Sequence, residues 1–148
     1  MKPDSPRPVL CPSALPDLPD SVAFGVVGGT PDEPRVAWLE KPVPVTEDLL
    51  ALTRPVPPAQ VLRFAASCQE KACSHFDGTD CRLATRLVRM IAPVVEALPP
   101  CRIRPDCRWF RQEGAAACRV CPQIVTHCVN PSEAMDLAAT PEKRSGTA

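Results

Sequence analysis

The sequence of 148 residues contains no tyrosine, and its other aromatic residues are two tryptophans and four phenylalanines. Aromatic side chains contribute the largest buried area per residue, so the chain has little material for an extensive apolar core. No apolar run approaches the roughly 18 residues of a membrane span, which excludes an integral membrane protein. The 17 basic and 17 acidic residues give zero net charge, so no overall field attracts the chain to nucleic acid.

A secretory signal is also missing from the start of the sequence. Residues 1–10 are interrupted by prolines and charged side chains, and they contain no apolar h-region. We therefore expect a cytoplasmic protein, whose reduced thiols bind metal or react. Disulfide bonds in an exported protein are the alternative.

Proline and cysteine are abundant instead, with 20 prolines and 9 cysteines. Six of the prolines lie before residue 20. Proline has no backbone donor and biases the preceding residue toward extended geometry, which disfavours a helix or a central strand. Residues 1–20 are therefore predicted to form a flexible proline-rich arm, in which Cys11 has no role.

Residues 21–66 are predicted to form a β-hairpin followed by a proline-rich connector. Two apolar runs, at 22–27 and 35–39, flank a turn that contains glycine and proline and is longer than two residues. Thr46 is followed by two acidic residues, which predicts the start of a short helix. The pattern leaves open whether residues 60–66 form a helix or a strand.

The rest of the chain is predicted to be helical. Apolar spacing indicates an amphipathic helix from 80 to 98, kinked or divided at a proline, and further helices at 106–113 and 130–140. Residues 67–130 are predicted to form a cysteine-rich metal-binding domain, and residues 131–148 a short helix with a tail. The expected fold class is α+β: a small, irregular, metal-stapled domain.

Eight cysteines lie between positions 68 and 128, in two blocks that flank the first of these helices. Thiolates and imidazole hold zinc in tetrahedral sites, and an iron–sulfur cluster also takes four cysteines. The strongest local signal is the two-residue gap between Cys118 and Cys121, which Pro122 follows. The candidate metal and cofactor ligands are Cys68, Cys73, His75, Cys81, Cys101, Cys107, Cys118 and Cys121.

Two divisions of these ligands remain open. In the first, the four candidates before residue 82 form one site and the four between 101 and 121 form another. In the second, the cysteines alone, including Cys128, supply one or two clusters and His75 is left out. Zinc modules usually present two close cysteine pairs, whereas this sequence has one, so the spacing favours an iron–sulfur cluster over zinc.

Eight arginines and no lysine lie between Arg82 and Arg119. Arginine offsets the negative charge of thiolate-bound metal, and it also stacks on bases and grips phosphates. Trp109, in the same region, is expected to pack in the core. The candidate contacts to a partner or to nucleic acid are Arg102, Arg104, Arg108 and Arg111.

The segments CSHFDGTDCRLATRLV (73–88) and CRIRPDCRWFRQEGAAACRVCPQIVT (101–126) resemble small bacterial cysteine-rich proteins that have no assigned activity. The resemblance implies a shared metal-binding fold and gives no substrate. The chain lacks the tight cysteine run of bacterial-type ferredoxins and the paired histidines of a zinc finger. Neither family's function is therefore carried over.

The sequence predicts an iron–sulfur protein that acts in electron transfer or redox sensing, as an accessory to a partner protein. No catalytic residue is assigned, and no membrane contact is expected. The alternative is a zinc-stabilised adapter module that binds protein or nucleic acid.

Overall fold

The computed structural model describes residues 9–30, 33–126, 128 and 131–140. Within them the chain forms a four-stranded antiparallel sheet and short helices, as the α+β prediction requires. The strands are β1 (Leu10–Ala14), β2 (Val22–Gly29), β3 (Pro34–Pro44) and β4 (Leu62–Ser67), in the spatial order β1-β4-β2-β3. The α-helices are α1 (Glu47–Ala51), α2 (Pro58–Val61), α3 (Arg82–Met90), α4 (Arg108–Glu113), α5 (Ala115–Val120) and α6 (Glu133–Ala139).

Strands β2 and β3 form the predicted hairpin. Its loop is closed by backbone hydrogen bonds between Thr30 and Glu33, and Gly29 takes a φ of 76°, which glycine adopts without strain. The predicted short helix is α1, because the Thr46 hydroxyl accepts a hydrogen bond from the Leu49 N–H at 3.1 Å. Residues 60–66, for which the sequence pattern left helix and strand open, are divided between the end of α2 and the buried strand β4.

The prediction of a flexible arm over residues 1–20 is wrong for residues 10–14, which form strand β1. This strand pairs with β4, so that Leu10 lies opposite Ser67 and Cys11 opposite Ala66. Proline is compatible with this position because β1 is an edge strand, which needs no hydrogen-bond donor on its outer side. Residues 1–8 of the predicted arm lie outside the described residues.

The helix predicted over residues 80–98 is shorter in the structure. It corresponds to α3, with Cys81 at the N-cap, and it ends at Ile91, where the backbone becomes extended (φ −111°, ψ 132°). Pro93 explains the early end, because proline has no N–H to donate and disfavours helical geometry at the residue before it. Residues 92–98 are not helical.

The other predicted helices are present with shifted starts. Helix α4 begins at Arg108 and ends at Gly114, whose φ of 69° suits glycine. Helix α5 follows at once, and the sequence pattern did not predict it. Helix α6 begins after Ser132, whose hydroxyl accepts a hydrogen bond from the Met135 N–H at 3.1 Å. The predicted start at Asn130 lies outside the described residues.

The two faces of the sheet pack against different parts of the chain. On one face, Phe64 packs with Ala23 and Ala59, so α1 and α2 cover that side. Side chains alternate along a strand, so Arg63 and Ala65 of β4 lie on the other face, where Ala65 packs with Ile103 of the cysteine-rich region. The regions predicted as 21–66 and 67–130 therefore share a core. No helix in the described part of the chain is long and apolar enough to cross a membrane.

Candidate metal centre

All nine cysteines are free thiols, and eight of them fall into two sets of four. The first thiol set lines a cavity of about 580 Å³, and the second thiol set lines a separate cavity of about 20 Å³. The first set consists of Cys11, Cys68, Cys73 and Cys81, since the sulfurs of the last three raise the pKa of Cys11; Cys128 also lines this cavity but is not among those sulfurs. The second set consists of Cys101, Cys107, Cys118 and Cys121.

The second thiol set is assembled by two tight turns. Backbone hydrogen bonds from the Arg104 N–H to the Cys101 carbonyl (3.3 Å) and from the Cys107 N–H to the Arg104 carbonyl (3.1 Å) curl the chain between the first two cysteines. The reversal at Gly114 then turns α5 back along α4. This reversal brings Cys118 and Cys121, which two residues separate in the sequence, to the cavity that Cys107 lines.

In the second set Cys107 is buried and the other three cysteines are partly buried. Burial raises the pKa of Cys107 to about 12, and the neighbouring sulfurs of Cys121 and Cys101 raise this pKa further. Burial also raises the pKa of Cys101. Without metal the Cys107 and Cys101 thiols are therefore neutral, and a bound cation would have to displace their protons.

The buried side chain of Arg63 fixes the position of Cys121. Arg63 has no exposed surface and makes five hydrogen bonds. Two go to the Pro12 carbonyl (3.0 and 2.7 Å), and one each to the carbonyls of Cys121 (3.1 Å) and Ile124 (2.8 Å). The fifth goes to the Cys121 sulfur at 3.3 Å. All five N–H donors of a guanidinium are thus accounted for.

The positive charge of Arg63 is surrounded by aromatic rings. Its guanidinium carbon lies 5.3 Å from the ring centre of Phe24, 5.4 Å from that of Trp38 and 5.7 Å from that of Trp109. In the described part of the chain no carboxylate forms an ion pair with it. The guanidinium is therefore a buried positive charge that lies beside the Cys121 sulfur and has no carboxylate partner there.

Two of the predicted partner-binding arginines also lie beside thiols. Arg104 lines the second cavity, where its hydrogen bond and charge oppose the rise that burial causes in the pKa of Cys118. Arg108 hydrogen-bonds to Cys68 of the first set and forms an ion pair with Glu70 at 2.8 Å. Each thiol set therefore has a guanidinium next to a sulfur.

The other two predicted arginines are on the surface. Arg102 donates to the carbonyl of Glu40 at 2.7 Å, and Arg111 donates to the carbonyl of Pro105 at 2.9 Å and to the carboxylate of Asp106 at 3.4 Å. These contacts leave the predicted role in binding a partner or nucleic acid untested. Trp109 is 2% exposed, as expected for a core residue.

The first thiol set draws on four separate segments. Cys11 belongs to β1, and Cys68 follows β4, where its N–H donates to the Val9 carbonyl at 2.8 Å. Cys73 ends a 3-10 helix at Glu70–Ala72, and Cys81 is the N-cap of α3. Cys11 is thus placed next to the other three by the pairing of β1 with β4, which the sequence did not predict.

The backbone of Cys81 is held by one side chain from α4. Gln112 accepts a hydrogen bond from the Cys81 N–H through Oε1 and donates to the Cys81 carbonyl through Nε2, both at 2.8 Å. Gln112 Nε2 also lies 3.1 Å from the Thr85 hydroxyl. The amide therefore fixes the start of α3 and, with it, the Cys81 thiol.

His75 lies in the wall of the first cavity but is already engaged. Its Nδ1 is 2.8 Å from a terminal nitrogen of Arg86, and since a guanidinium only donates, Nδ1 is the acceptor. Burial and the Arg86 charge lower the pKa of His75. The neutral ring therefore carries its proton on Nε2.

The cysteines line these cavities without already forming a metal site. As the side chains stand, no three His, Cys, Asp or Glu groups in residues 9–30, 33–126, 128 and 131–140 are placed to hold one ion. The metal-stapled character of the fold therefore remains a prediction. The sequence pattern did not identify Arg63 as a functional residue. A signal for it was present, because its charged side chain interrupts the apolar run of β4.

No family model, curated protein or solved structure matches the chain. Function must therefore be inferred from the chemistry of the two thiol sets and their surroundings.

Proposed function

We propose that the second thiol set binds an iron–sulfur cluster, through which the protein transfers electrons or senses redox state as an accessory to a partner protein. The cluster ligands are Cys101, Cys107, Cys118 and Cys121. Binding requires these thiols to lose their protons and turn toward one centre. The backbone turns that bring the four residues to one cavity are already formed.

The observation that supports the proposal most is the hydrogen bond from buried Arg63 to the Cys121 sulfur. Four thiolates carry more negative charge than a bound metal centre cancels, so a thiolate-bound centre has a net negative charge. The guanidinium supplies a counter-charge that nothing else in its described surroundings requires.

Two features favour an iron–sulfur cluster over zinc. Hydrogen bonds to cluster sulfurs are among the factors that set a cluster's reduction potential, and here Arg63 and Arg104 lie beside sulfurs of the same set. The ligand spacing also contains one close cysteine pair, where zinc modules usually have two.

The proposed reaction is a single-electron exchange. A cluster held by Cys101, Cys107, Cys118 and Cys121 would supply this exchange by accepting one electron from a reduced partner protein and passing it to an oxidised acceptor protein. No covalent bond is made or broken. Cys118 is half-buried, so the centre lies near enough to the surface for such an exchange, and exposed Arg102 and Arg119 favour a partner with an acidic surface.

A zinc-stabilised interaction module is the second candidate, and the size of the cavity favours it. The cavity that the four cysteines line together with Phe24, Trp38 and other side chains is about 20 Å³, comparable to the volume of one water-sized sphere. A single ion fits such a space with less displacement of the walls than a cluster requires. In this case the site holds the fold together and has no redox role.

Anaerobic purification with analysis of iron, acid-labile sulfide and zinc separates the two candidates. The iron–sulfur proposal predicts a coloured protein with equal amounts of iron and sulfide, whose visible absorption bleaches reversibly on chemical reduction. Zinc without sulfide in a colourless protein would establish the alternative. A protein with neither metal, isolated reduced and without chelator, would overturn both.

Two variants connect the metal to the second set. Cys118→Ser should lower the iron and sulfide content, because a serine hydroxyl is a poor ligand for a cluster. The matched control is Cys128→Ser, which changes a cysteine outside both sets and should leave the content unchanged. Equal content in the two variants would remove the second set from the proposal.

A further inference from the structure

We infer that the first thiol set is a second iron–sulfur centre, completed by Cys11 of strand β1 and not by His75. Its ligands are Cys11, Cys68, Cys73 and Cys81. The inference shares its cofactor class with the proposed function, but it concerns a different cavity and different ligands.

The placement of Cys11 is the first argument. It lies opposite Ala66 in the β1–β4 pairing, two residues before Cys68, and it lines the same cavity as the other three thiols of the set. Burial is the main cause that raises the pKa of Cys11 to about 12, and the sulfurs of Cys81, Cys68 and Cys73 add to the rise. Four thiols from four segments thus line one cavity, and Cys128 lines it as well.

The state of His75 is the second argument. A metal takes a lone pair from a neutral imidazole nitrogen, and in His75 the Nδ1 lone pair accepts the bond from Arg86. Nε2 carries the proton and has no lone pair to offer. Ligation by His75 would require breaking its bond to Arg86, whereas ligation by Cys11 requires loss of the thiol proton and a turn of the side chain toward the other three sulfurs.

The size and charge of the cavity indicate the kind of centre. The cavity that the thiols line with many other residues has a volume of about 580 Å³, so it has room for a cluster as well as for a single ion. Arg108 supplies a positive charge at Cys68, as Arg63 does at Cys121 in the second set. The same chemistry of four thiols and one adjacent guanidinium therefore occurs twice in the chain.

Arg63 lies between the two centres. It donates to the carbonyl of Pro12, the residue after Cys11, and to the sulfur of Cys121. Arg63 thus contacts the backbone next to one ligand of the first set and a sulfur of the second set, so the two proposed centres share one buried side chain. The redox step is again the exchange of single electrons with partner proteins, with no further reactant.

The test measures iron and sulfide per chain in anaerobically purified full-length variants. Cys11→Ser should cause a twofold loss of both relative to the wild type, and the remaining iron should disappear in the Cys11→Ser, Cys118→Ser double variant. Two controls alter residues of the same cavity: Cys128→Ser and His75→Gln should both keep the full content. Loss of half the iron in His75→Gln, or none in Cys11→Ser, would overturn the inference.

X-ray absorption at the iron edge of the wild-type protein does not depend on how the variants fold. An all-sulfur first shell is expected, and a nitrogen ligand to iron would overturn the exclusion of His75. The failures of the two proposals are distinguishable. If Cys118→Ser lowers the iron content and Cys11→Ser does not, the proposed function stands and the inference of a second centre fails. If the wild-type protein contains no iron, both fail.

Discussion

The Arg63 guanidinium donates a hydrogen bond to the Cys121 sulfur over 3.3 Å, inside the protein and without exposed surface on the arginine. The same side chain joins the edge strand β1 to the segment after α5 through carbonyl acceptors. Arg63 thus has two roles: it connects the sheet to the cysteine-rich half, and it places a positive charge beside a candidate metal ligand.

We expect Arg63→Met to destabilise the fold by at least about 3 kcal/mol, because it leaves buried carbonyls of Pro12, Cys121 and Ile124 without donors, each at a cost of about 1–3 kcal/mol. Urea denaturation measures the change. The control is Arg119→Met, since exposed Arg119 makes one side-chain bond, to the Glu96 carbonyl. Similar stability in the two variants would contradict the connecting role of Arg63.

Gln112→Ala should destabilise the protein by about 1–3 kcal/mol, since it removes both hydrogen bonds to the backbone of Cys81. The comparison is Gln123→Ala, which removes one bond to the Ala92 carbonyl from a less enclosed position. Thermal melting of both variants checks the order of stability. If the Gln123 variant melts lower, Gln112 does not hold the start of α3 as described.

The elements that could be predicted from the sequence are those whose signals are local. The hairpin of β2 and β3, the Thr46 cap and the glycine end of α4 each depend on residues within a few positions of one another. The second thiol set was also grouped in advance, because Cys118 and Cys121 are close in sequence.

The wrong prediction for residues 10–14 concerns a contact between distant segments. The prolines of strand β1 disfavour regular structure, and only its pairing with β4 shows that an edge position accepts them. The same pairing places Cys11, which has no role in the sequence analysis, in the cavity that Cys68 lines. The bond from Arg86 to His75 joins residues eleven positions apart and has no sequence signature.

Gly25 allows Trp38 to lie flat against Phe24, with ring centres 5.1 Å apart and planes inclined by 7°. A β-carbon at Gly25 would lie 2.7 Å from Val36 Cγ1 and 2.8 Å from the Trp38 ring. Gly25→Ala should therefore cost about 1–3 kcal/mol through overpacking.

The control for this prediction is Gly28→Ala in the same strand, where the nearest atom to the added carbon is the Arg35 carbonyl oxygen at 3.4 Å. Urea denaturation of the two alanine variants should rank Gly25→Ala as the less stable. The reverse order would show that the Trp38 ring shifts easily.

Asp20 should make stability depend on pH in the acid range. The hydrogen bond from the Ser67 hydroxyl is the main cause that lowers the pKa of Asp20 below its ordinary value of 3.8, and the Ser67 N–H adds to it. A lowered pKa means that the folded state binds fewer protons than the unfolded state. The stabilisation is therefore complete above pH 3.8 and is lost as the pH falls through the folded-state pKa.

Asp20→Asn should accordingly be less stable than the wild type at neutral pH, and the difference should shrink as the pH falls below the ordinary carboxyl pKa. Denaturation curves at several pH values test this, with Asp17→Asn, an exposed acid in the same loop, as the control. A difference that persists unchanged at the lowest pH would mean that the Asp20 charge is not responsible.

Removal of metal should loosen the cysteine-rich half more than the β2–β3 hairpin. The proposed centres connect segments of residues 68–81 and 101–121, and metal binding contributes folding free energy at such sites. The hairpin instead has its own ladder of backbone hydrogen bonds, and α1 and α2 cover one face of its sheet.

Amide hydrogen exchange before and after anaerobic chelation measures this difference directly. Protection should fall in α4 and α5, next to the second thiol set, and should change least in β2 and β3. A uniform loss across both halves would mean that they unfold together, which the core shared by Phe24, Ala65 and Ile103 would then explain. Unchanged protection in α4 and α5 would show that metal contributes nothing to the stability of the region around the second set.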